Sequence, residues 1–149
     1  GREVLCVERN PVVYAMLADA LRRAENEAEK AVAERMCLRH ADAIQVLGNL
    51  SESWTAPALV MIDPMFPPRR RSSALPSKGM QRLRELLDRD PTVSNQQLLA
   101  AAHASPARRI VLKRPPEAEI EYGERGGPTF VIRTKLLRWE AWDRVNPAS

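Results

Sequence analysis

Apolar positions along the chain keep two rhythms, and the changes between them divide it into alternating strands and helices. Val4 to Val7 is a short unbroken apolar run ending at Glu8, which suits a buried strand. Asn10 and Pro11 follow, a good N-cap and a residue whose fixed φ fits the first helical position. Val13, Met16, Leu17, Ala20, Leu21 and Ala24 then recur at helical spacing, predicting a helix to about Glu25 with one apolar face. Glu25 to Glu34 is charged and alanine-rich, the tail of that helix or a second short one. Met36 to His40 reads as a strand leaving through Ala41-Asp42-Ala43, and Ile44 to Leu50 as a short helix. Ala58 to Ile62 is a second unbroken apolar run, of the kind that suits a parallel strand covered on both faces.

Arg69 to Lys78 has no periodicity, is rich in Arg, Ser and Pro, and exceeds a typical connection, which favours a functional, lid-like loop. Two helices are predicted next. Gly79 to Asp88 carries Met80, Leu83, Leu86 and Leu87 on one face, and Asn95 to Ala104 carries Leu98, Leu99 and Ala102. Arg109 to Leu112 is another buried strand with a basic, proline-stopped exit, Lys113-Arg114-Pro115-Pro116. Glu117 to Pro128 is polar, glycine-containing loop. Thr129 to Ile132 and Leu136 to Trp142 predict an antiparallel strand pair around Arg133-Thr134-Lys135. The alternation implies an α/β fold, a sheet with helices on both faces, in a single domain over residues 1–149.

At 149 residues and 44% hydrophobic, the chain can bury a real core. No apolar run approaches the roughly 20 residues of a membrane span, and no signal-peptide pattern opens it, so a cytoplasmic location is expected. Cys6 and Cys37 lie in strand-like runs without histidines at ligand spacing; buried, reduced thiols and no metal are expected. Lys plus Arg exceed Asp plus Glu by 23 − 19 = 4. The basic residues cluster at Arg69-Arg70-Arg71 and at Arg108-Arg109 with Lys113-Arg114. A polyanionic partner and an ordinary arginine-rich surface explain that pattern equally well.

The most informative chemistry lies where the second apolar run stops, at Asp63-Pro64-Met65-Phe66-Pro67-Pro68. A residue before proline is pushed to extended backbone, and the prolines lock φ without adding N–H donors. A carboxylate, free carbonyls and an aromatic ring thus meet at the carboxyl end of a strand, where open α/β sheets bind ligands. They suit a flat base or amide carrying an exocyclic amine: Asp63 and the Pro64 carbonyl accept from the NH₂, and Phe66 stacks on the ring. A lone Asp-Pro, by contrast, ends many strands merely as a turn.

Asp63-Pro64-Met65-Phe66 resembles the Asp/Asn-Pro-Pro-Tyr/Phe box of amino-methyltransferases that use S-adenosylmethionine. With Glu8-Arg9-Asn10-Pro11-Val12-Val13, Ser73-Ala74-Leu75, Lys78-Gly79-Met80 and Lys113-Arg114-Pro115, the chain resembles the bacterial small-subunit ribosomal RNA guanine-N2 methyltransferases (RsmJ-like). The resemblance implies a Rossmann-like class I methyltransferase sheet, S-adenosylmethionine as cofactor, and ribosomal RNA or the small ribosomal subunit as partner. It implies that Asp63, Pro64 and Phe66 handle the reacting amine and its base. Glu8 would take the cofactor ribose with Arg9 beside it, Asp42 the adenine end, and Asp63 would also border the cofactor. Arg69, Arg70, Arg71, Lys78, Lys113 and Arg114 would hold RNA phosphates.

On the residues alone, Glu8 is either a ribose ligand or a solvated loop carboxylate, and Asp42 is an adenine contact, a helix N-cap, or both. In the resembled family a first strand with a glycine-rich turn precedes the Glu8 strand and sits between it and the Asp63 strand. No such segment is found before Val4, so an N-terminally incomplete methyltransferase domain, a fragment, is expected. Methylation of adenine N6 or a glutamine amide, and a non-catalytic RNA-binding remnant, are the other readings.

Overall fold

The computed structural model describes residues 2–25, 28–50, 54, 57–64, 79, 95–119 and 126–144. In chain order these form β1 (Val4–Glu8), α1 (Pro11–Ala24), α2 (Lys30–Ala33), β2 (Met36–His40), α3 (Ala43–Gly48), β3 (Leu59–Ile62), α4 (Asn95–Ala104), β4 (Arg109–Arg114), β5 (Phe130–Arg133) and β6 (Arg138–Asp143). The expected alternation and the antiparallel pair at the end are present. The helix expected over Gly79 to Asp88 lies outside the described residues apart from Gly79.

Two ladders hold the strands. β1 and β2 pair in parallel, Glu8 opposite His40. The second sheet runs β3-β4-β6-β5, with β3 parallel to β4 and the other pairs antiparallel. No ladder joins β1 to β3 among the described residues, which is where the resemblance put a further strand.

The core lies on one face of the larger sheet. Ile110 and Leu112 of β4 point to it, as do Ile62 and Trp142, and α4 lays Leu99 and Ala102 over them. Fully burying an aliphatic side chain of this size is worth about 1.5–3 kcal/mol, so this face supplies much of the stability. Leu47 of α3 packs against the same cluster, and α3 also touches β1. It therefore ties the two ladders together. The N–H of the Trp142 indole donates to the Gly126 carbonyl at 3.1 Å, and Gly126 has φ +80°, a conformation open to glycine at little cost.

Two sequence expectations, on the cover of β3 and on the thiols, are corrected here. Among the described residues β3 is covered on one face: Ile62 is buried, but Leu59 and Met61 are about half exposed at 48% and 55%. An unbroken apolar run says that both faces tolerate burial, and α4 lies over only one. The apolar face of α1 is likewise incompletely covered, with no residue fully buried and Met16 59% exposed. Of the two thiols, Cys37 is exposed and Cys6 is partly buried; burial, and then the Cys37 thiol nearby, push the Cys6 pKa up.

Candidate functional site

The expected site residues fall into two groups, each at the carboxyl ends of a parallel strand pair. Glu8 closes β1, and its Oε1 accepts from the Asn10 N–H at 2.7 Å. Asn10 caps α1 in turn, its Oδ1 accepting from the N–H groups of Val12 and Val13 at 2.9 and 3.2 Å, with Pro11 in the first turn. The chain thus turns from strand to helix within three residues and leaves the Glu8 carboxylate oriented by the main chain. Asp42 lies just beyond β2 and caps α3, its Oδ1 accepting from Ile44 N–H at 2.8 Å. The capping role read from sequence is present, and one carboxylate oxygen performs it.

Arg9 meets His40 through its carbonyl, 3.0 Å from Nε2, and His40 stacks on Tyr14 with ring centroids 4.9 Å apart. Both aromatic side chains were missed as site neighbours. The signal was available in the two five-residue strands, whose parallel pairing puts their last residues, Glu8 and His40, opposite each other.

Asp63 and Lys113 make the second group. Asp63 follows Ile62 directly, and Lys113 lies one step beyond Leu112, the partner of Ile62. Lys113 Nζ donates to Asp63 Oδ2 at 2.8 Å. The same ammonium lies 5.7 Å from the centroid of the Trp139 ring, and Trp139 faces Lys113 across the β4–β6 ladder. Asp63, Lys113 and Trp139 therefore form one row across three strands, and Pro64 stiffens the exit from the first.

Arg114, the neighbour of Lys113, points into the core side. It is 8% exposed and donates to the Glu119 carbonyl at 3.2 Å. Arg138 donates to the same carbonyl at 3.0 Å and to that of Pro116 at 3.3 Å. Its charge is met by the fully buried Glu140, Nη2 to Oε1 at 2.5 Å. Two guanidiniums thus fasten the chain leaving β4. Lys113 and Arg114 were both expected on RNA phosphates; in the structure they meet a carboxylate and a main-chain carbonyl. Phe66, Arg69, Arg70, Arg71 and Lys78 lie outside the described residues.

The acceptor set fits the cofactor implied by the resemblance. S-adenosylmethionine offers ribose hydroxyls and an adenine amine as donors, and carboxylates at strand ends are acceptors for both. Two grooves, about 490 Å³ between α3 and α4 (Ile44, Leu47, Ala101, Ala104) and about 320 Å³ under α1 (Cys6, Leu21, Val32, Met36), are lined by neither Glu8, Asp42 nor Asp63. The described residues contain no group of three or more His, Cys, Asp or Glu that could hold a metal, and no helix among them is long and apolar enough to cross a membrane.

A family model described as "Putative SAM-dependent methyltransferase" matches residues 1–143. The chain is 42% identical over 143 residues to Ribosomal RNA small subunit methyltransferase J of Chromobacterium violaceum, covering 95% of this chain and 54% of that protein. Against the protein of the same name from Rhodopseudomonas palustris it is 39% identical over 146 residues, covering 97% and 67%. The chain spans about half the length of several of the curated relatives it matches. Among solved structures, a SAM-dependent methyltransferase from Neisseria gonorrhoeae superposes with a TM-score of 0.66 at 25% identity, over 94% of this chain and 52% of that one.

Proposed function

Because the chain belongs to the family of SAM-dependent methyltransferases, whose fold it shares, we propose that it forms part of an enzyme that methylates the exocyclic N2 amine of a guanine in small-subunit ribosomal RNA. The observation that carries the proposal is the Asp63-Pro64 step, an anchored carboxylate and a tertiary amide without an N–H at the carboxyl end of β3. Relatives named for methylation of small-subunit ribosomal RNA support the choice of substrate, and an RNA substrate goes with a cytoplasmic location. S-adenosylmethionine supplies a methyl already activated on a sulfonium, so the protein's part is alignment.

An exocyclic amine is a poor nucleophile because its lone pair is delocalised into the ring. Asp63 and the Pro64 carbonyl accept the two N–H groups, turn the lone pair out of conjugation and stabilise the positive charge that grows on nitrogen. Glu8 receives the ribose hydroxyls and Asp42 the adenine amine, each through the carboxylate oxygen not already bonded to the main chain; Arg9 adjoins them. Phe66 is assigned to stack on a base drawn out of its helix. Arg69, Arg70, Arg71 and Lys78 are assigned to phosphates.

The test is methyl transfer from labelled S-adenosylmethionine to small-subunit ribosomal RNA by the full gene product, followed by nucleoside mass spectrometry. N2-methylguanosine is expected. Asp63→Ala should abolish its formation while S-adenosylhomocysteine still binds. Label on adenine or on protein would replace the proposed substrate, and equal loss of turnover and cofactor binding would make Asp63 a structural residue.

A further inference from the structure

We propose that Lys113 is a positioning residue for the reaction, fixing the Asp63 carboxylate through Oδ2 so that Oδ1 alone is presented to the substrate amine. The inference rests on the methyl-transfer reading above and adds a residue to it. Lys113 is the wrong kind of group for a plain phosphate contact: its side chain is only 22% exposed, while the Asp63 side chain it holds is 48% exposed. Its charge is met on one side by Oδ2 at 2.8 Å and on the other by the Trp139 ring, within cation–π range.

Pairs this accessible contribute little to stability, so anchoring the fold is a poor reason for the arrangement. Orientation is a better one. Among the described residues Asp63 accepts only the Lys113 hydrogen bond, through Oδ2, which leaves Oδ1 for an N–H donor. A carboxylate free to rotate about its last torsion would present either oxygen; one tied by a point donor presents a single acceptor in a fixed direction. A ligand on Oδ1 also has the carboxylate between itself and the ammonium, which keeps the lysine charge from opposing the charge growing on the amine.

Lysine suits this task and arginine does not. A guanidinium opposite a carboxylate takes both oxygens in a fork and would occupy the acceptor the substrate needs. Lys113→Met and Lys113→Arg are therefore compared in the full gene product, with kcat and RNA KM measured at saturating S-adenosylmethionine and S-adenosylhomocysteine affinity by calorimetry. Both variants should bind S-adenosylhomocysteine as the unaltered protein does and lose about 100-fold in kcat, the scale set by small misplacement of a reacting group, with RNA KM little changed. Lys113→Arg near normal, with Lys113→Met raising KM and reducing the salt slope by about one, would overturn the proposal in favour of a phosphate contact. Normal kcat and KM in both would overturn it outright.

The pair itself is read separately. The Lys113 ammonium should give an exchange-protected ¹H–¹⁵N resonance that disappears in Asp63→Asn, and a resonance indifferent to that change overturns the proposal whatever the turnover. Failure of the unaltered protein to bind S-adenosylhomocysteine or methylate RNA defeats the underlying functional reading, and is seen without any variant.

Discussion

In the β1–β2 unit, Glu8 and Asp42 are fixed by N–H groups two residues further along the chain. In the larger sheet, Asp63 is fixed by a side chain fifty residues away. The first arrangement needs only a strand running into a capped helix; the second exists only when β3 and β4 are paired. Packing follows the same division. α1 buries no residue completely, whereas Ile110 and Leu112 of β4, Ala102 of α4 and Ala107 between them are all at 0% exposure in the core beside the larger sheet. The region that holds Asp63 is thus the better packed one, and the region that holds Glu8 and Asp42 relies on local caps.

The largest effects should come from attacking the stable side. Trp142→Ala should cost about 3–5 kcal/mol, and Leu112→Ala about 2–5 kcal/mol, by lost transfer energy and the cavity left behind. Met16→Ala in α1 should stay within about 0.5 kcal/mol, as exposed substitutions do. Denaturant midpoints of the three variants check the contrast, and a Met16→Ala loss as large as that of Leu112→Ala would erase it. Glu140→Gln tests the same side by charge. It leaves Arg138, 3% exposed, without its carboxylate, at about 3–5 kcal/mol, whereas Arg138→Met with Glu140→Leu should be nearly neutral or stabilising. A double variant no better than the single one would mean that the pair's hydrogen bonds to Pro116 and Glu119 matter more than its charge balance.

The same division decided what could be read in the sequence. Asn10-Pro11 and Asp42-Ala43 announce helix starts because a cap acts on its own neighbours, and both caps are found where the letters put them. α4 and β2 match their predicted bounds for the same reason: periodicity and propensity are local. The contacts of Lys113 with Asp63 and Trp139 were not legible, because nothing local in the sequence links the three residues. The uncovered face of β3 was equally illegible, since Leu59 and Met61 advertise burial whether or not a helix lies over them. Arg114 and Arg138 carry the general lesson that charge in a sequence does not say whether a guanidinium faces solvent or a carbonyl.

Middle-sized effects sharpen the local side. Asn10→Ala and Asp42→Ala should each cost about 1 kcal/mol by leaving helix N–H groups unmet, seen as loss of helical signal and faster amide exchange in α1 and α3 before β4 or β6 responds. Lys113→Met should change stability by less than about 1 kcal/mol, although it removes the partner of the Asp63 carboxylate. A cap variant that unfolds the larger sheet cooperatively would show that the two parts are one unit rather than a stable one and a dependent one.

The smallest effect is the most discriminating. Asp143 on β6 receives two hydrogen bonds from Arg109 on β4, at 2.5 and 2.9 Å, and chiefly through them its carboxyl pKa lies below the ordinary aspartate value. Asp19 in α1 is lowered in the same direction, first by its hydrogen bond to Arg22 one helical turn away. A carboxyl depressed in the folded state contributes stability that is full above the unfolded pKa, about 3.9, and is lost as pH falls through the folded one. Asp143→Asn should therefore lower the melting temperature slightly at neutral pH, with the difference vanishing in acid and shrinking in salt. Asp19→Asn should show a weaker pH dependence still, because an i,i+3 pair also forms in transient helix of the unfolded chain, and linkage registers only the difference between the two states. Equal acid dependence in the two variants would mean that α1 keeps no helix when unfolded, and that its ion pair, like that of the sheet, exists only in the folded protein.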